Sequence, residues 1–99
     1  MPLHFEIAER AAKDISSIAV YIAKRNRDNV IAERFAQRLL GRCVALTETP
    51  HVGIPHPTIS GVRKINEGAY KIFYRVTETH IEILRIWDGR RGHEPIIGS

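Results

Sequence analysis

A chain of 99 residues with 43% apolar and 26% charged residues has the make-up of one folded domain with a single modest core. No apolar run reaches the roughly 20 residues of a membrane helix, the start MPLHFEIAERAAKD has no signal-peptide pattern, and the lone Cys43 excludes an internal disulfide and a Cys-rich zinc module. These features predict a cytoplasmic protein, and the net charge of +4 predicts a polyanion or an acidic protein as partner without choosing between them.

Leu3, Phe5 and Ile7 alternate with polar residues and predict a short first strand. Ile15, Ile18, Ala19 and Ile22 then recur at helical spacing, until Asn26-Arg27-Asp28-Asn29 breaks the pattern. Asp28 or Asn29 is placed to cap a second helix, whose apolar face carries Ala32, Phe35, Ala36, Leu39, Cys43 and Leu46. Gly41 weakens that helix by about 1 kcal/mol relative to Ala, which a close helix–helix approach would offset. So short a link makes the two helices an antiparallel hairpin.

Thr49-Pro50 stops the second helix, and Pro50 to Pro57 reads as a loop. Three strands follow: Val62 to Ile65, Tyr70 to Val76 and Ile81 to Trp87. A two-residue turn at Glu78-Thr79 sets Arg75 opposite Glu82 and Tyr74 opposite Ile83. That register gives an apolar face of Tyr70, Ile72, Tyr74, Val76, Ile81 and Ile83, which should pack on the helices. The other face carries Lys71, Phe73, Arg75, Glu82, Leu84 and Ile86. Arg85, inside an apolar strand, requires a hydrogen-bonding partner such as a carboxylate.

The order Pro50-His51-Val52-Gly53, Gly61-Val62-Arg63, Tyr70-Lys71-Ile72-Phe73-Tyr74-Arg75-Val76, and Ile81-Glu82-Ile83-Leu84-Arg85-Ile86-Trp87 running into Asp88-Gly89-Arg90-Arg91 resembles the ParE/RelE toxin superfamily, often labelled plasmid-stabilisation proteins. The resemblance spans nearly the whole chain and is closer to ParE. It implies an α+β fold over residues 1–99: an N-terminal strand and an antiparallel helical hairpin packed on a mostly antiparallel sheet of three to four strands. It also implies a toxin neutralised by a cognate ParD-like antitoxin, with operator DNA bound only through that antitoxin. ParE-like members poison DNA gyrase, and RelE-like members cut messenger RNA on the ribosome.

The two targets ask for different chemistry. A metal-independent ribonuclease needs a base, an acid and fixed cations around the phosphate. By resemblance Lys71 matches the basic strand position of RelE-like nucleases, and Arg90 or Arg91 matches their basic C-terminal position. Arg63 and His93 complete that candidate set, with Glu94 as another proton-transfer group in the tail. The pattern departs where RelE-like nucleases carry a C-terminal Tyr, since the last tyrosine here is Tyr74, and Asp88 stands where His is usual before Gly-Arg-Arg. Gyrase poisoning needs only a binding surface, for which Trp87, Arg90 and Arg91 are the anchor types. The basic stripe Arg34, Arg38 and Arg42 on the second helix is the candidate contact for an acidic antitoxin segment. A module that binds antitoxin without toxicity is the third possibility. The five histidines have no metal-site spacing, and neither a metal nor another cofactor is expected.

Overall fold

Alternation at the start of the chain becomes strand β1 (His4–Ile7), as its pattern predicts. In the computed structural model, which describes residues 3–97, it is followed by helices α1 (Glu9–Asn26) and α2 (Asn29–Glu48). Arg27 adopts the left-handed conformation that ends α1. Asp28 then caps α2, its Oδ1 accepting from Val30 N at 2.9 Å, so the hairpin needs only two linking residues. The helices expose one stripe each to the sheet. Ala11, Phe35, Leu39, Cys43 and Leu46 are buried, and Ile15, Ile18 and Ile22 pack beside them. Burial pushes the Cys43 thiol up to about 11, so it stays protonated and acts as a small apolar group.

Four further strands follow: β2 (Ile54–Pro55), β3 (Val62–Glu67), β4 (Tyr70–Val76) and β5 (His80–Asp88). They form one sheet with β1 in the order β1-β5-β4-β3-β2. The sheet therefore has five strands, not the three or four expected. One addition is the two-residue β2, drawn from the Pro-rich loop to pair with β3. The expected N-terminal strand β1 joins the same sheet and runs parallel to β5. The crossover from β1 to the meander carries the whole helical hairpin, which covers one sheet face.

The predicted register holds at the β4–β5 turn, where Arg75 faces Glu82 and Tyr74 faces Ile83. Beyond it a β-bulge shifts the pairing: Phe73 faces Arg85, and Leu84 is the extra residue. Ile86 consequently sits opposite Ile72 on the helix side and joins the main core, a correction to the simple alternation. The close approach expected at Gly41 is also absent. A side chain there would meet nothing within 4 Å. Among the described residues no helix is long and apolar enough to cross a membrane.

The sheet face away from the helices has its own cover. Phe73, Leu84 and Trp87 are buried there, and the chain after β5 turns back across them. Trp87 Nε1 donates to His93 O at 2.8 Å, and Arg85 donates to Ile96 O at 3.0 Å. Pro95 is buried between these tethers.

Candidate functional site

Two cationic regions lie on either side of this returning tail. In the first, Lys64 from β3 and Lys71 from β4 converge on Glu94, at 3.2 and 3.7 Å. Partial burial opposes ionisation of Glu94, but the Lys64 hydrogen bond and the charges of Lys64 and Lys71 outweigh it and hold the carboxyl below its usual range. The two lysines, with Arg42 of α2, Gly53 and Asn66, line an open cleft of about 420 Å³. Among the described residues Arg42 Nε is a buried side-chain nitrogen with no hydrogen-bond partner.

The second region is the turn that ends β5. Asp88 Oδ1 accepts from the Arg90 backbone N–H at 2.9 Å, and both its oxygens take the Arg90 guanidinium at 2.9 and 2.8 Å. Gly89 is required here because a Cβ would lie 2.9 Å from Ala69 O, to which its own N–H donates. Arg91 folds back over Trp87, its guanidinium carbon 4.3 Å from the ring centroid. The His93 ring meets the same indole edge-on at 5.4 Å. Beside this stack a pocket of about 240 Å³ opens towards α1, walled by Ser17, Tyr21, Tyr70, Trp87, Asp88 and Arg91.

The Asp88–Arg90 pair has a pH signature. The side-chain and backbone hydrogen bonds from Arg90 pull the Asp88 carboxyl down to about 2 from its ordinary 3.8. A carboxyl with a depressed folded-state value stabilises the fold above its unfolded value and loses that contribution as pH falls through the folded one. Asp88→Asn should therefore flatten the acid limb of stability between about pH 4 and pH 2, read by denaturant unfolding at each pH. The change should be small, because Arg90 is 67% exposed and solvent screens the pair.

Comparison with known proteins settles the lineage. The model of the ParE toxin of type II toxin–antitoxin systems matches residues 5–92. The chain belongs to the ParE toxin family. No curated protein sequence matches it. Among solved structures, a chain of the chromosomal ParDE TA system from P. aeruginosa superposes with a TM-score of 0.74 at 21% identity, covering 87% of this chain and 95% of that one. A chain of the toxin–antitoxin complex RelBE2 from Mycobacterium tuberculosis gives 0.63 at 21% identity, covering 89% and 99%. At such identity these two matches establish the fold.

On this ParE chain the residues singled out from sequence separate into distinct jobs. Arg63 donates to Gly53 O at 2.7 Å and His51 O at 3.3 Å, so its guanidinium holds the Pro50-to-Gly53 loop. Lys71 pairs with Glu94, Arg90 with Asp88, and Arg91 and His93 with Trp87. Trp87 is only 8% exposed and acts as the platform for its neighbours. Arg34 and Arg38 are exposed, whereas Arg42 is half-buried, so the stripe on α2 descends from solvent into the cleft beside β3. Nothing in the sequence marks Tyr21 and Tyr70, which line the pocket, as site residues. Their approach depends on how α1 crosses the sheet, which no local pattern records.

Proposed function

We propose that this ParE chain is a cytoplasmic toxin that arrests growth by binding DNA gyrase, and that a ParD-like antitoxin neutralises it. The observation that carries the target is the turn at the end of β5. It presents Arg90 and Arg91 at the surface, fixed by Asp88 and by the Trp87 stack. A rigid, cationic, aromatic-backed turn beside a pocket is the kind of anchor that holds a protein interface. The alternative chemistry is less well served. Of the candidate nuclease groups, Arg63 is tied to loop carbonyls, Lys71 to Glu94, and His93 to the Trp87 ring.

One observation keeps message cleavage on the ribosome as a second reading: the cleft where Lys64, Lys71 and Arg42 surround a site next to an ionised Glu94. There the cations would stabilise a phosphorane and Glu94 would take the proton.

An antitoxin partner is supported by the family and by the two neighbours, described as a ParDE system and a RelBE2 complex. The hairpin offers it a surface. Val30, Leu40 and Val44 of α2 are about half exposed, with the bare Gly41 among them and Arg34 and Arg38 alongside. An amphipathic acidic segment fits that combination and would fold as it binds. Operator DNA would be reached only through the antitoxin.

Induced expression with and without the antitoxin gene, joined to a supercoiling assay on purified toxin, tests this reading. Arrest relieved by the antitoxin together with gyrase inhibition is expected. Arrest with unaffected supercoiling and new message ends by primer extension would transfer the assignment to the cleft. No arrest at all would leave a module that only binds antitoxin. Arg90→Ala with Arg91→Ala should weaken gyrase inhibition by about thirtyfold or more, the scale of truncated interface anchors. Antitoxin affinity, measured by calorimetry, should change little.

A further inference from the structure

At the opposite edge of the sheet from β2, two strands distant in sequence bring three ligand-type side chains together. Leu3, Phe5 and Ile7 point into the core, so alternation turns His4 and Glu6 to the outer face. The parallel register sets His80, the first residue of β5, directly beside His4. Glu6 Oε2 lies 3.0 Å from His80 Nε2, and the two imidazoles stack at 5.5 Å with planes 20° apart.

We propose that His4, Glu6 and His80 form a divalent transition-metal site, with Zn²⁺ as the ion best suited to two imidazoles and one carboxylate. One nitrogen or oxygen from each residue lies within 4.8 Å of the others. Tetrahedral Zn²⁺ with bonds of about 2.0–2.1 Å places its ligand atoms roughly 3.3 Å apart. The Glu6–His80 pair already meets that spacing. His4, exposed on its strand, has to close by no more than about 1.5 Å, which side-chain rotation supplies. Water takes the fourth position.

The surroundings of His80 favour this use. Thr77 and Thr79 place their hydroxyl oxygens 3.1 and 3.0 Å from His80 Nδ1. Thr77 Oγ1 also accepts from the His80 backbone N–H and donates to His80 O, so the turn fixes the ring. This is the outer support that metal-binding imidazoles carry on the nitrogen facing away from the ion. Nε2 and a carboxylate oxygen at 3.0 Å need a proton or a cation between them, and His4 at the same corner supplies the third donor that selects a metal. A bound ion would cross-link β1 to β5 and stabilise an edge strand of only four residues.

The test uses the full chain without an affinity tag, stripped with chelator and titrated with Zn²⁺ by calorimetry, with Co²⁺ as the spectroscopic probe. One equivalent of Zn²⁺ per chain at micromolar affinity, a raised Tm, and visible Co²⁺ bands of low-symmetry coordination are expected. His4→Gln and His80→Gln should each weaken binding by about tenfold or more. His4 is exposed, so His4→Gln keeps the test open if His80→Gln perturbs the β4–β5 turn. No binding at 100-fold above micromolar Zn²⁺ would overturn the proposal. So would binding that survives both substitutions but falls with His56→Gln or His93→Gln.

Discussion

Arg85→Ala should destabilise the protein by about 3–5 kcal/mol, the cost of breaking a buried ion pair from one side. Arg85 is only 7% exposed and takes both oxygens of Asp14, Nε to Oδ2 at 2.8 Å and Nη2 to Oδ1 at 3.0 Å. The hydrogen bond that Arg85 donates to Asp14 outweighs the burial that opposes its charge and raises the guanidinium's pKa. The pair joins three parts of the molecule. Asp14 belongs to α1, its Oδ2 also accepts from the Ile86 backbone N–H at 3.0 Å, and Arg85 reaches on to Ile96 O in the tail. Removal of the cation strands a carboxylate beneath α1 and removes one tether of the tail, at Ile96 O. Asp14→Ala should cost at least as much, because it leaves a buried guanidinium without its counter-ion and the Ile86 N–H without its acceptor. Urea unfolding reads this as a lower midpoint at unchanged slope. With total stabilities of about 5–15 kcal/mol for natural domains, either variant should be close to unfolding at 37 °C. Asp14→Leu with Arg85→Met should recover part of the loss, since no charge is then buried, but not the Ile86 and Ile96 hydrogen bonds. A double variant as unstable as the worse single one would show that shape, not charge pairing, holds this junction.

That a carboxylate must meet Arg85 is legible in the sequence, because a cation in an apolar strand cannot remain unpaired. Which carboxylate is not legible: Asp14 lies 71 positions away, and its meeting with β5 depends on the crossover. The same division runs through the fold. The helical stripes, the Asp28 cap and the Arg75–Glu82 register follow from periodicity and local turn chemistry. The bulge at Leu84 has no glycine or proline to announce it, yet it moves Ile86 from one sheet face to the other. The parallel pairing of β1 with β5 joins the two ends of the chain, so His4 and His80 gave no sign of proximity in linear spacing. For the candidate site, the arginines at the end of β5 are identifiable by residue type alone. Their partners Asp88 and Trp87 are near in sequence, but the pairing of Lys71 with Glu94 is not legible, since it forms only after the tail folds back.

Gly53→Ala should cost about 3 kcal/mol, combining overpacking with the disturbance of buried hydrogen bonds. Tyr74 is fully buried, and its hydroxyl donates to Pro50 O and accepts from Gly53 N, each at 2.9 Å. A Cβ on Gly53 would lie 2.5 Å from that hydroxyl, 2.9 Å from Tyr74 Cε1 and 2.9 Å from the Lys64 carbonyl oxygen. Two of these obstacles belong to a buried ring and one to backbone, so none moves aside cheaply. The Pro50-to-Gly53 loop and the tyrosine of β4 are thus one device: proline ends the helix, glycine admits the ring, and the phenol satisfies the loop backbone. Tyr74→Phe alone should cost about 1–3 kcal/mol, because it leaves the Gly53 N–H and the Pro50 carbonyl unpaired. In the combined variant the hydroxyl is gone, and with it the tightest contact made by the new methyl. The two losses should therefore sum to less than their separate values, a coupling that a double-mutant cycle measures directly. Strict additivity would mean that the alanine collides only with the ring edge and the Lys64 carbonyl. The cost of Gly53→Ala would then be set by the backbone of β3 and the ring edge and not by the hydroxyl.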